Sequence, residues 1–92
     1  MAQVHQFQLR REPSAPAYAV LRSLLVEARK AAGLTQQELA DQIGRPQSFI
    51  AKVEGGERSL DVVEFAAVAT IIGLDTRKVI EALAARLVRS ET

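Results

Sequence analysis

The chain contains no cysteine and no tryptophan, a single histidine, three prolines, one tyrosine and three phenylalanines. Without thiols it can be neither a disulfide scaffold, a cysteine nucleophile nor a zinc finger. No apolar run exceeds about five residues, far short of the ~20 that a membrane helix needs. The opening MAQVHQFQLRRE lacks the apolar core of a secretory signal, so a cytoplasmic location is expected. His5 falls in a polar stretch and reads as a solvated side chain. There is no Ser/His/Asp set, no metal-ligand cluster and no phosphate-cradling glycine loop, so no catalytic residue, metal or cofactor is expected. An excess of one charge is also missing. Twelve Lys and Arg stand against eleven Asp and Glu, leaving +1, which argues against a polybasic or acidic tail.

What is present is 92 residues, 48% of them hydrophobic. A chain of this length makes one domain and buries only about 60–65% of its unfolded surface. With no staple available, its core must be dense or a second subunit must add burial. Residues 1–15 read as an N-terminal arm, extended or partly disordered. Val4, Phe7 and Leu9 are interleaved with polar residues, and Pro13-Ser14-Ala15-Pro16 breaks any continuing element. From 16 to 89 the helical period dominates, and residues 90–92 should fray.

Five helices are predicted. Tyr18, Leu21, Leu25, Ala28 and Ala32 recur at spacings of three and four, and Gly33 stops that helix. Thr35 and Glu38 spell a capping box, with Leu34 and Leu39 placed as a hydrophobic staple. Leu39, Ala40 and Ile43 face inward before Gly44. A helix over about 46–54 follows, with Pro46 at its start and Ile50 and Val53 as a narrow buried stripe. Asp61 and Glu64 repeat the capping box, ahead of Phe65, Val68, Ala69 and Ile72. Asp75 caps the last helix, which carries Val79, Ile80, Leu83, Ala84, Leu87 and Val88. The fold class is therefore an all-α bundle.

The second and third helices, joined by a tight turn at Gly44-Arg45-Pro46, have the pattern of a helix-turn-helix. A helix about 10–12 Å across fits a major groove about 12 Å wide. If Ile50 and Val53 face the core, Gln47, Ser48, Ala51 and Lys52 face outward, and Phe49 leans the same way. Gln47 can make paired hydrogen bonds to adenine, Lys52 can donate to guanine, and Ser48 can serve a base or a phosphate. Gln36, in the first turn of the leading helix, is placed for a phosphate.

The stretch GLTQQELADQIGRPQSFIAKVEGGER resembles the XRE helix-turn-helix family, the lambda-repressor-like fold of phage-repressor type. The likeness runs from Arg29 to Gly73 and, with the flanking helices, over about 17–88. It implies a five-helix, sequence-specific DNA-binding domain of bacterial or phage type, a homodimer acting as a nucleoid-associated transcriptional regulator. It places Gln36 at a phosphate, Gln47, Ser48 and Lys52 at bases, and Arg58 near the DNA backbone. It pairs Arg29 with Glu54, a carboxylate otherwise misplaced at a helix C-terminus. Arg45-Pro46 departs from the small polar residues usual there, and Arg45 adds a further phosphate contact.

Residues 79, 80, 83, 84, 87 and 88 cover more of the last helix than one core contact requires. Val79, Ile80, Leu83, Leu87 and Val88 are therefore candidates for a dimer interface. A repressor, an antitoxin with a toxin partner and a restriction-modification control protein all fit this sequence. So does an interaction module that keeps the fold but binds protein, for which an apolar outward face at 47–52 would speak. Residues 1–60 carry eight basic against six acidic side chains and residues 61–92 four against five. The expected DNA face is thus more basic than the whole.

Overall fold

Helix caps and glycine stops divide the chain where the residue types require. The computed structural model describes residues 15–91, apart from the side chains of 89–91. It contains α1 (Pro16–Ala31), α2 (Gln36–Gln42), α3 (Gln47–Glu54), α4 (Val62–Ile72) and α5 (Thr76–Glu91). No strand occurs among the described residues. Except for Ala15, the expected N-terminal arm lies outside them, as does Thr92 of the expected tail.

Both capping boxes close in both directions. Thr35 Oγ1 accepts from the Glu38 amide at 3.1 Å, and Glu38 accepts from the Thr35 amide at 3.0 Å. Asp61 and Glu64 do the same at 2.7 and 2.9 Å. Each box satisfies amides that a helix start leaves without intrahelical partners. Asp75 accepts from the Arg77 and Lys78 amides at 3.1 and 3.3 Å. The start of α3 differs. Pro46 stands just before the helix, at φ −68° and ψ 155°, and no side chain caps α3.

The helix ends fix the chain's direction. At the end of α2 the Arg45 amide donates to the Ala40 carbonyl at 3.0 Å and the Gly44 amide to Asp41 at 3.2 Å. This Schellman pattern needs a left-handed residue, and Gly44 supplies it at φ +69°. Past α3 the Glu57 amide reaches the Lys52 carbonyl at 2.8 Å. Gly56 takes the left-handed position there at φ +83°. The first turn sets the angle between α2 and α3, and the second swings Arg58 back beside α3.

Leu25, Leu39, Ala40, Phe49, Ile50, Val53, Val68 and Ile72 form one buried cluster. Here α2 packs on α3 and α4, and α1 packs on α3, α4 and α5. Two expectations require correction. Phe49 does not lean outward: it is buried at 7% exposure. It precedes Ile50 and lies four residues before Val53, which makes the inward face of α3 one residue wider than the Ile50/Val53 stripe. Val79 is buried at 2% exposure, so it belongs to the monomer core and cannot serve a dimer interface. Ile80 and Val88 remain exposed on α5, and Leu83 and Leu87 are half-buried.

The capping geometry of α2 has a measurable consequence. Thr35→Ala should lower stability by about 1 kcal/mol in urea denaturation. An unchanged midpoint would contradict a stabilising role for the box.

Candidate nucleic-acid interface

The exposed end of α3 is tied to the interior through a chain of polar contacts. Arg29, in the last turn of α1, donates from Nε to Glu54 Oε2 at 2.6 Å and from Nη2 to Oε1 at 3.0 Å. Its Nη1 donates to the Leu34 carbonyl at 2.7 Å. The two side chains are only 10% and 9% exposed. Glu54 ends α3, where the helix dipole disfavours a carboxylate, and the guanidinium offsets that cost. Gln36 Nε2 then donates to Glu54 Oε1 at 2.9 Å. Gln47 Nε2 in turn donates to Gln36 Oε1 at 2.7 Å. An exposed glutamine on the first turn of α3 is thus oriented by a buried ion pair through one intermediate side chain.

Ser48 and Lys52 are exposed, and neither has a side-chain partner among the described residues. Ser48 follows Gln47 directly, and Lys52 lies one turn further along α3. Arg45 and Arg58 flank this tip in a different state. Their guanidinium carbons lie 5.2 and 4.3 Å from the centroid of the Phe49 ring, a cation–π arrangement that covers the ring with charge. Both also meet Glu64: Arg58 donates to it at 3.1 and 3.2 Å, and Arg45 Nη2 lies 3.6 Å away.

A model of the "Helix-turn-helix domain" family matches residues 20–87. Among solved structures, the chain is 50% identical to an XRE-family like protein from Pseudomonas syringae pv. tomato. That match has a TM-score of 0.70 and covers 76% of this chain and 85% of the other. The chain belongs to the XRE-type helix-turn-helix family.

Two further structures share the family's fold. The restriction-modification controller protein C.AhdI from Aeromonas hydrophila is 29% identical, with a TM-score of 0.62 over 74% of this chain and 97% of that one. The clp gene regulator ClgR from C. glutamicum, at 22% identity, has a TM-score of 0.64 over 89% and 96%. That second likeness concerns the fold alone. No curated protein matches the chain. Family and fold are those of DNA-binding regulators. No described helix is long and apolar enough to cross a membrane, and no described group of three His, Cys, Asp or Glu could hold a metal ion.

The helix-turn-helix brings half-buried Gln36 against Gln47, leaves Gln47, Ser48 and Lys52 exposed along α3, and sets Arg45 and Arg58 beside them over Phe49. Arg29 and Glu54 lie beneath, paired as the family resemblance implies. Sequence reasoning missed Glu64, which it used only as a helix cap. The Arg58–Glu64 contact crosses an irregular loop, so no helical spacing announces it. The face is accordingly less basic than expected, because one carboxylate serves two arginines.

The Arg58 hydrogen bond, followed by the Asp61 amide, holds the Glu64 carboxyl below its ordinary value of 4.5. A lowered folded value means that the native state binds fewer protons than the unfolded one in that window. The stabilisation from Glu64 is therefore complete above 4.5 and is lost as pH falls through the lowered value. Urea midpoints measured at neutral pH and at steps below 4.5 should fall less steeply for Glu64→Gln than for the wild type. Parallel curves would contradict this. The ion pair below gives a larger effect: Arg29→Ala should destabilise by about 3–5 kcal/mol, because it strands a buried carboxylate. A loss under about 1 kcal/mol would show the pair to be dispensable.

Proposed function

We propose that the protein is a sequence-specific transcriptional regulator, acting as a repressor. It binds a pseudo-palindromic operator as a homodimer through α3 in the major groove. The observation that carries this reading is the polar chain from Arg29 through Glu54 and Gln36 to Gln47. A merely solvated glutamine needs no such support, whereas a base-reading one gains from being held before DNA arrives. In this reading Gln47, Ser48 and Lys52 address base edges, and Gln36, Arg45 and Arg58 address phosphates. A protein partner at the α3 tip is less favoured, since Phe49, half of the apolar case for it, is buried.

One domain covers one half-site. Two-fold dimers place their recognition helices about 34–36 Å apart, one turn of DNA. Ile80 at 57% and Val88 at 41% exposure, with exposed Ala84 between them, offer an apolar line at four-residue spacing on α5. Leu83 and Leu87 would deepen such an interface. A restriction-modification control role is the second reading, favoured by the likeness to C.AhdI across 97% of that chain. No step of this function calls for catalysis, a cofactor or a metal.

The test is fluorescence anisotropy with a duplex selected by the protein from a random library, beside an unselected duplex, at two salt concentrations. Binding should weaken with salt and favour the selected duplex. Lys52→Ala should lose about 1–3 kcal/mol on the selected duplex and much less on the other. Equal losses on both would make Lys52 a phosphate contact, and salt-independent or absent binding would remove the DNA reading.

A further inference from the structure

The corner between the α3–α4 loop and the start of α4 holds more than a helix cap. Glu64 Oε1 accepts from the Asp61 amide at 2.9 Å, which completes the capping box. The same carboxylate accepts from Arg58 Nη1 and Nη2 at 3.1 and 3.2 Å. Arg58 Nη1 also donates to the Ser59 carbonyl at 2.7 Å. Arg45 Nη2 comes within 3.6 Å of Glu64 Oε2 from the other side. Glu64 is itself only 14% exposed, while the two arginine side chains are 49% and 39% exposed.

A guanidinium carries five N–H donors in a rigid planar fork. Arg58 uses three of them in these contacts. The donors left over are Nε–H and the second Nη2 hydrogen, which lie parallel along one edge. That edge has the shape to take two oxygens of a phosphate. One face of the same guanidinium rests on the Phe49 ring. Ring and carboxylate together remove the freedom that a long surface arginine would otherwise lose on binding. The electrostatic effect runs in parallel: Arg45, Arg58 and Glu64 sum to one positive charge where the arginines alone would give two.

We propose that Glu64 is a positioning residue for DNA recognition. It fixes Arg58 and steadies Arg45 against Phe49, so that Arg58 presents its remaining edge to a phosphate. It also offsets one of their two charges and so restrains attachment to DNA of arbitrary sequence. Glu64 thereby sets discrimination between duplexes without touching DNA. The inference rests on the DNA-binding reading above.

Two substitutions separate its two roles. Glu64→Gln keeps a side chain suited to the capping box while removing the charge. Glu64→Asp keeps the charge but shortens the reach to Arg58. Wild type and both variants, with helix content checked by circular dichroism, are titrated by anisotropy across a salt series. The probes are a duplex selected by the wild type from a random library and a random-sequence duplex of equal length. Glu64→Gln should bind the random duplex several-fold more tightly at low salt, with a salt slope steeper by about one. Its preference for the selected duplex should fall roughly tenfold. Glu64→Asp should bind the random duplex as the wild type does and still lose preference.

An unchanged preference in Glu64→Gln, or an equal weakening on both duplexes, would overturn the role of Glu64 and leave the DNA reading standing. Wild-type preference in Glu64→Asp would mean that charge alone acts, which overturns the positioning role. A wild type that binds neither duplex would remove the DNA reading and this inference with it.

Discussion

The Arg29–Glu54 pair is the constraint on which the arrangement of this small bundle depends. It joins the last turn of α1 to the last residue of α3, and its 2.6 and 3.0 Å contacts are almost wholly shielded from water. Two charges removed from solvent cost more than their attraction returns unless their other hydrogen-bonding positions are filled. They are filled here by the Leu34 carbonyl and by Gln36. Among the described residues, no buried side-chain nitrogen or oxygen lacks a partner. Such a pair admits few geometries, so it fixes where α3 sits and also which way Gln36 and Gln47 point.

A helix of eight residues such as α3 is not stable by itself. It is gripped from two sides. One is the ion pair at its C-terminal end, beneath the polar chain to Gln47. The other is the buried Phe49 ring, capped by Arg45 and Arg58 and closed off by Glu64. The apolar Leu39, Ile50 and Val53 supply the burial between these grips. Stability and site geometry therefore share residues, and the tip between the two grips is the surface proposed to meet DNA.

Much of this was legible in the sequence wherever the signal is local. Capping boxes, glycine stops and three-to-four periodicity act over a few residues, and they located all five helices. The Arg29–Glu54 pairing came from family resemblance, because twenty-five residues of separation leave no periodic trace. The inward turn of Phe49 was missed because the Ile50/Val53 spacing by itself satisfies a narrow buried stripe, and the arginines that cover the ring meet it only in the fold. The burial of Val79 was missed because an apolar face wider than one contact requires does not say which part of it turns to the core. Glu64 hid behind a complete capping explanation, and its contacts with Arg45 and Arg58 exist only once the α2–α3 turn and the α3–α4 loop have folded.

The central claim is that the buried pair and Gln47, the glutamine proposed to face DNA, form one coupled unit. A double-mutant cycle between Glu54→Gln and Gln47→Ala tests it most directly, read as affinity for the selected duplex with every variant verified as folded. Coupled residues should depart from additivity by about 0.5–3 kcal/mol. Additivity within about 0.3 kcal/mol, the behaviour of independent sites, would mean that the polar chain from Arg29 to Gln47 carries no influence on recognition.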